Sequence, residues 1–481
     1  MKQTLVLKQT ILLAAISALL SACGGGGGSS DSSSANQGQN NSTVALANQC
    51  AAPRAGTADR QGSVDTEKAY LKAFVNDTYL WYQDVPANIN PASYATPQAY
   101  FDVLKTPKLT ASGKPVDQFH WSQTTASWQA QSQGIAQDYG IQWAAQASAP
   151  PRNWVVAEVA AGSPADKAGI KRGDRLLAVD GVDFVNDATS TGIAKINEAL
   201  FPSVLAAHQL TFSGKAAQTL TPATYSVATV SKVKVIPTLN GNVGYFVFDQ
   251  HIAQSETELI SAISQLKAQN VTDLVIDLRY NGGGLLYVAS ELAYMIAGPG
   301  PTSGKVFEQL TYNDKLTYLN KQYPFYNTAV NGTVLPYLGL NKVTLLVSQG
   351  TASASESLIN SLRGVDVSVN LIGNTTRGKP YGFVPQDNCG YTYFAIQFKG
   401  VNQKGFGDYP DGFAATCAVA DDFTRQRGDT AESMLSAALS YRQTGVCPVS
   451  VARAIPAAWT DFTLVRPLSK EMRLLSPSVA R

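Results

Sequence analysis

Two short loops in the second half of the chain carry residue types that could do chemistry. Asn281-Gly282-Gly283-Gly284 follows the apolar run Leu274–Leu278 and precedes another, from Leu285 to about Ala297. A glycine run at a strand end lets backbone N–H groups approach a ligand closely. No Lys-Ser/Thr pair follows, so the loop is not a P-loop. Its other use is to hold an oxyanion. The second loop, Gly350-Thr351-Ala352-Ser353-Ala354-Ser355-Glu356, leaves the run Val343–Ser348. It places Ser353 at a helix N-terminus, where the dipole and free N–H groups favour developing negative charge. Taken alone, a serine there is ordinarily an N-cap. The three histidines, His120, His208 and His251, are far apart in sequence, which argues against a His-rich metal site. No metal and no cofactor is expected.

The elements around these loops alternate. Val243–Phe248 reads as a strand, and Ser255-Glu256-Thr257-Glu258 as a capping box opening a helix with Leu259, Ile260, Ile263 and Leu266 on one face. Leu274–Leu278, Val343–Ser348 and Val369–Ile372 read as further strands, each followed by a loop. Strand–loop–helix repeated in this way predicts a mainly parallel sheet with its ligands at the carboxyl ends of the strands.

The segments Asp277-Leu278-Arg279-Tyr280-Asn281-Gly282-Gly283-Gly284-Leu285 and Gly350-Thr351-Ala352-Ser353-Ala354-Ser355-Glu356 resemble the two signatures of the C-terminal processing peptidases, the tail-specific serine proteases. The family's second signature begins with Ser where this chain has Thr351, and Ser353 takes the nucleophile position. The family's base is a lysine in a glycine-flanked segment. Arg377-Gly378-Lys379-Pro380 supplies Lys379, 26 residues after Ser353. The resemblance implies a Ser353–Lys379 dyad, with the N–H groups of Gly283 and Ala354 as the oxyanion hole. A lysine serves as base near neutral pH only when its pKa is depressed from about 10.4. The Gly/Pro turn between apolar strands is a setting that could desolvate Lys379. One departure concerns the glutamine that often follows the lysine by four residues and assists it. Phe383 stands there, and nothing shows that the nearby Gln386 substitutes. A Ser-His arrangement resembling tricorn protease would instead use His251. Ser355 and Glu356 read as support for the nucleophile, and Asp277 with Arg279 as a pair fixing the glycine loop.

In the first half, Leu71, Phe74, Val75, Tyr79 and Tyr82 recur at helical spacing, and Thr96-Pro97 starts a second short helix. Gly162-Ser163-Pro164-Ala165-Asp166-Lys167-Ala168-Gly169-Ile170, continuing to Asp180-Gly181, combines a strand, one helical turn, a left-handed Gly169 and a hairpin turn. This run resembles the PDZ domains of bacterial proteases. The resemblance assigns Tyr139, Gly140 and Ile141 to the loop that captures a peptide's C-terminal carboxylate, beside a strand edge open to β-augmentation.

The expected fold class is multidomain α+β: an N-terminal helical cap (66–118), a PDZ β-barrel (119–235), a crotonase-like α/β catalytic core of the ClpP/crotonase type (236–445) and a C-terminal tail (446–481). Ahead of them, Lys2 and Lys8 accompany the apolar run Ile11–Leu20, too short to span a bilayer and legible as a signal peptide over 1–22. Leu20-Ser21-Ala22-Cys23 resembles the lipobox of bacterial lipoproteins, with Cys23 as the lipid attachment site. Gly24 after it, rather than Asp, favours the outer membrane. Residues 23–65 are expected to form a flexible Gly/Ser/Asn tether. The remaining cysteines, Cys50, Cys389, Cys417 and Cys447, suit two disulfides in an oxidising periplasm, with three pairings open. Lys+Arg total 37 against Asp+Glu 35, which leaves no field for nucleic acid.

These readings converge on a lipid-anchored periplasmic serine endopeptidase acting on proteins or peptides with accessible C-termini. The competing class is a proteolytically silent lipoprotein that binds peptides or a polymer.

Overall fold

The computed structural model describes residues 41–202, 204–448, 462–465 and 472–474. The expected signal peptide, Cys23 and the start of the tether lie outside the described residues. The later part of the expected tether is built onto the body instead. Asn41–Leu46 is a helix, Gln49–Cys50 pairs with Arg60–Gln61, and a disulfide joins Cys50 to Cys389. The second disulfide joins Cys417 to Cys447.

The helical cap centres on Val64–Thr78. Ser63 caps it, exchanging hydrogen bonds with Thr66. Tyr70, Leu71, Phe74 and Val75 on its inner face pack with Tyr100, Phe101 and Leu104, and also with Phe383, Tyr393 and Phe394 from the far end of the chain. The cap therefore shares a core with the second half of the chain. Trp121–Thr124, expected in the second module, pairs antiparallel with Tyr391–Phe394, and the Trp121 ring stacks on Phe394 at 4.1 Å. Aromatic burial draws this strand out of the PDZ module.

The PDZ module packs Trp143, Val156, Leu176, Val179, Phe184, Ile196 and Phe212 around one core. Gly169 ends its helical turn at φ 72°, and Asp180-Gly181 turns the hairpin at φ 47° and 76°. Val230–Ile236, expected to close this module, instead pairs antiparallel with Val243–Phe248 and closes one edge of the catalytic sheet.

That sheet has six strands in the order 230–236, 243–248, 273–277, 342–347, 368–373 and 417–418, all parallel after the first. The multidomain α+β architecture is as expected. A further local expectation fails. The helix over 253–268 begins at Ala253, ahead of the anticipated capping box. Glu258 accepts from the Gln254 side chain in the first turn and caps no backbone amide of its own helix. Its carboxylate accepts from the amides of Thr229 and Val230 and from the Thr229 hydroxyl, three donors of the incoming linker. The functional consequence of the sheet is simple. Three adjacent parallel strands, 273–277, 342–347 and 368–373, deliver the glycine loop, the Ser353 loop and the Lys379 loop to the same end.

Candidate active site

Ser353 follows the strand Lys342–Val347 and precedes the helix Ala354–Gly364. Its backbone lies at φ 61°, ψ −115°, a conformation L-residues rarely hold, and the residue is fully buried. Its amide donates to Glu356 Oε2 at 2.9 Å, and its hydroxyl has no hydrogen-bond partner among the described residues. The N-cap role that the sequence allowed is therefore not the one Ser353 Oγ plays.

Glu356 ties Ser353 to the lysine loop. Its Oε2 also accepts from the Lys379 amide at 2.8 Å, while Oε1 accepts from the Gly378 amide at 2.7 Å and the Thr376 hydroxyl at 2.6 Å. Burial pushes this carboxyl above its ordinary range, and the four donors pull against that shift. The Arg377 amide adds a bond to Thr351 O at 2.9 Å. Gly378 has to be glycine: it sits at φ 88°, and a Cβ would lie 2.2 Å from Pro410 O.

The Lys379 side chain is fully buried between aromatic faces. Its Nζ lies 4.0 Å from the Phe383 ring centroid and 4.7 Å from that of Phe119. Cation–π attraction of this kind orients an ammonium group. Phe383, which the sequence showed only as a missing glutamine, is thus a direct neighbour of the lysine. Phe119, expected at the start of the PDZ module, packs in the cap's core instead, and no sequence signal linked it to Lys379. Gln386 begins the strand Gln386–Asn388, and its side-chain amide donates to Asp387 O at 3.3 Å.

The glycine loop is fastened to the nucleophile loop. The Thr351 hydroxyl donates to Leu278 O at 2.8 Å, and the Ala352 amide and Ser355 hydroxyl both donate to Asn281 O at 3.1 Å. Beneath it, Arg279 is fully buried and bonds Asp277 at 3.0 Å, Glu432 at 2.9 and 3.0 Å, and Asp421 at 2.6 Å. The expected Asp277–Arg279 pair is therefore part of a larger network. Asp421 extends it to Arg172 of the PDZ module, whose guanidinium also donates to Tyr280 Oη at 2.6 Å.

Two expected site groups are engaged elsewhere. The Gly283 amide donates to Asn281 Oδ1 at 2.9 Å, because the asparagine side chain folds over its own loop. Gly283 is therefore not an open oxyanion donor in this arrangement, whereas Ala354 stands directly after Ser353 as the first helical residue. In the PDZ loop, the Gly140 amide donates to Asp138 Oδ1 at 2.6 Å, so a carboxylate of the chain already sits where a peptide's terminus was expected. Tyr139 is buried in the module's core, and Ile141 begins the strand Ile141–Ala147.

His251 is fully buried. Its Nδ1 lies 3.0 Å from Asn281 Oδ1, its ring packs on Phe248, and burial pushes its pKa down to about 3. It is a neutral ring that braces the glycine loop. No Ser–His hydrogen bond is made among the described residues.

The site thus combines a parallel-sheet core, a buried serine at a helix start and a buried lysine on the neighbouring loop. Residues 242–386 match the model of peptidase family S41, residues 155–196 that of the PDZ domain, and residues 67–122 that of the peptidase S41 N-terminal domain. Residues 242–386 are thus similar to peptidase family S41, and residues 155–196 to PDZ domains. Among the chain's relatives is the carboxyl-terminal-processing protease of Picosynechococcus sp., 32% identical over 222 residues, covering 45% of this chain and 49% of that one. The carboxy-terminal processing protease CtpB of Bacillus subtilis is 25% identical over 224 residues, covering 45% and 42%. The chain therefore spans about half the length of the curated relatives it matches. A solved structure assigned to the S41 proteases, from Bacteroides fragilis, shares the fold with a TM-score of 0.62 at 23% identity, covering 78% of this chain and 97% of that one.

Proposed function

We propose that this chain is a serine endopeptidase, anchored by lipid at Cys23 on the periplasmic side of the bacterial envelope. It cleaves protein substrates that its PDZ module selects through their C-termini. The observation that carries the reading is the Glu356 carboxylate, which receives the amides of both Ser353 and Lys379 and so fixes the proposed nucleophile and base as one buried unit.

In this reading Ser353 Oγ attacks the substrate carbonyl and passes its proton to a neutral Lys379 Nζ. The tetrahedral oxyanion forms beside the Ala354 amide. Gly283 contributes the second donor once the Asn281 side chain turns away, a rearrangement that substrate binding has to drive. Such donors are each worth about 3 kcal/mol in other proteases. Lys379 then returns the proton to the leaving amine, and water repeats the cycle on the acyl-enzyme. Catalytic hydrogen bonds commonly tighten only when substrate is bound, which accounts for a Ser353 hydroxyl still without a partner. At the PDZ module, a substrate carboxylate has to replace Asp138 at the Gly140 amide.

The test compares wild type, Ser353→Ala, Lys379→Ala and His251→Gln on unstructured peptides with free or amidated C-termini. Both dyad variants should fall to background with the fold intact, and amidation should lower cleavage efficiency in the wild type. Cleavage surviving in Lys379→Ala but lost in His251→Gln would transfer the base to His251. Absence of cleavage by every form would leave the silent peptide-binding lipoprotein. Cys23→Ser should move the protein out of the membrane fraction.

A further inference from the structure

The last described residues of the chain lie on both surfaces that a substrate would use. Thr463–Val465 pairs antiparallel with the PDZ strand Ile141–Ala147, in the register Thr463↔Ala145, Leu464↔Ala144 and Val465↔Trp143. It adds a third strand on the edge that β-augmentation requires, and it runs toward the Gly140 loop as a bound peptide would. The segment also packs there. The Phe462 ring lies 5.2 Å from Phe423, the Thr463 hydroxyl donates to Ala145 O at 3.3 Å, and Leu464 rests on the cluster of Ala144, Val155, Tyr280 and Phe423.

Six residues later, Met472–Leu474 pairs in parallel with Gly283–Leu285, with Met472 opposite Gly283. One edge of that glycine strand already bonds His251, through the His251 amide to Gly283 O and the Leu285 amide to His251 O. The tail takes the other. An extended chain of this length reaches at most about 25 Å, which limits the separation of the two paired segments.

We infer that the paired segments 462–465 and Met472–Leu474 act as an inhibitor in cis, which substrate has to displace from the PDZ edge and the glycine strand together. The inference rests on the protease reading for its consequence, though not for its geometry. The order of the two contacts argues for an inhibitor over a substrate. A peptide held by its C-terminus at the PDZ loop presents its scissile bond on the N-terminal side of the held residues. Here the segment at the glycine loop lies on the C-terminal side. A strap that binds in trans at about 0.1 mM, tethered at an effective concentration of about 1 mM, weakens substrate binding about tenfold.

The experiment separates binding from cleavage. A fluorescein-labelled unstructured peptide with a free apolar C-terminus is titrated by anisotropy into Ser353→Ala protein, either whole or ending at Pro448. The truncated form should bind about tenfold more tightly, and the same truncation in the active chain should raise cleavage at low substrate by a similar factor. Thermal melting establishes that the truncated form is folded. If it is not, the full chain with Leu464→Pro and Arg473→Pro, which interrupts both ladders, should show the same gain. A synthetic peptide of residues 462–475 should compete with the labelled peptide for whichever relieved form is used. Equal binding by whole and relieved proteins, or no competition by the synthetic peptide, overturns the inference. Tighter binding without cleavage in any Ser353-containing form upholds the strap and removes the protease reading.

Discussion

The loops carrying Ser353 and Lys379 leave neighbouring parallel strands, yet they are held by different means. The Ser353 loop is fastened within the catalytic half, through Thr351 to Leu278, Ala352 and Ser355 to Asn281, and Ser353 itself to Glu356. The Lys379 loop borrows its supports. Its backbone hangs on Glu356 from the helix that follows Ser353, and its Nζ lies 4.7 Å from the ring of Phe119, some 260 residues earlier. Ser353 is thus placed by local sequence and Lys379 by tertiary assembly. A site built this way is complete only when cap and core have docked.

Removing the one group common to both loops should have the largest effect. Glu356→Ala strands four buried donors, and each unsatisfied group costs about 1–3 kcal/mol. We expect kcat to fall about a thousandfold or more with a clear loss of melting temperature. Glu356→Gln, which keeps one acceptor oxygen, should lie between this variant and wild type. A Glu356→Ala protein with near-normal kcat would show that the two loops hold their places independently.

A second change tests whether the core supports its loops from beneath. Asp277 is fully buried, which alone would raise its pKa, but Arg279 and Arg427 hold the carboxyl well below its ordinary 3.8. A depressed carboxylate contributes stability that is present above the unfolded value and lost as the pH falls through the folded one. Asp277→Asn should therefore cost about 3 kcal/mol in urea unfolding at pH 7, and the gap from wild type should narrow toward pH 2. A gap independent of pH would mean that charge is not what Asp277 contributes.

The smallest expected effect concerns the borrowed aromatic support. Phe119→Leu keeps the cap core apolar while removing one ring face from Lys379. It should lower kcat about tenfold while moving the melting temperature by only a few degrees, in line with a cation–π contact of about 1–2 kcal/mol. The matching change on the nucleophile side, Ser355→Ala, removes one hydroxyl bond from a loop with several others and should cost less. If Phe119→Leu is silent and Ser355→Ala is not, the contrast between the loops is reversed.

What could be read from the residues follows the same division. Strands such as Val243–Phe248, and the Gly169 and Asp180-Gly181 turns, were legible because apolar runs and turn chemistry are local. Ser353, Lys379 and Ala354 were legible only through motif resemblance. The capping box at Ser255 misled because Glu258 found better donors in Thr229 and Val230, which are distant from its own helix start. Trp121–Thr124 was assigned to the wrong module because its partner, Tyr391–Phe394, lies far along the chain. The occupied amides of Gly140 and Gly283 escaped notice for another reason. Asp138 and Asn281 are close enough in sequence to reach them, but a motif names the glycine and not its neighbour's rotamer.

The backbone of Ser353 limits which nucleophiles this scaffold can ever carry. At φ 61° a β-branched side chain sets one of its two γ substituents against the main chain, a conformation that is a true outlier for such residues. Threonine, the nearest chemical relative of serine and a nucleophile in other hydrolases, is therefore barred by geometry rather than reactivity. Cysteine is unbranched and is not. The torsion angle of one residue thus admits a thiol at this position and disfavours a secondary alcohol before any substrate is bound.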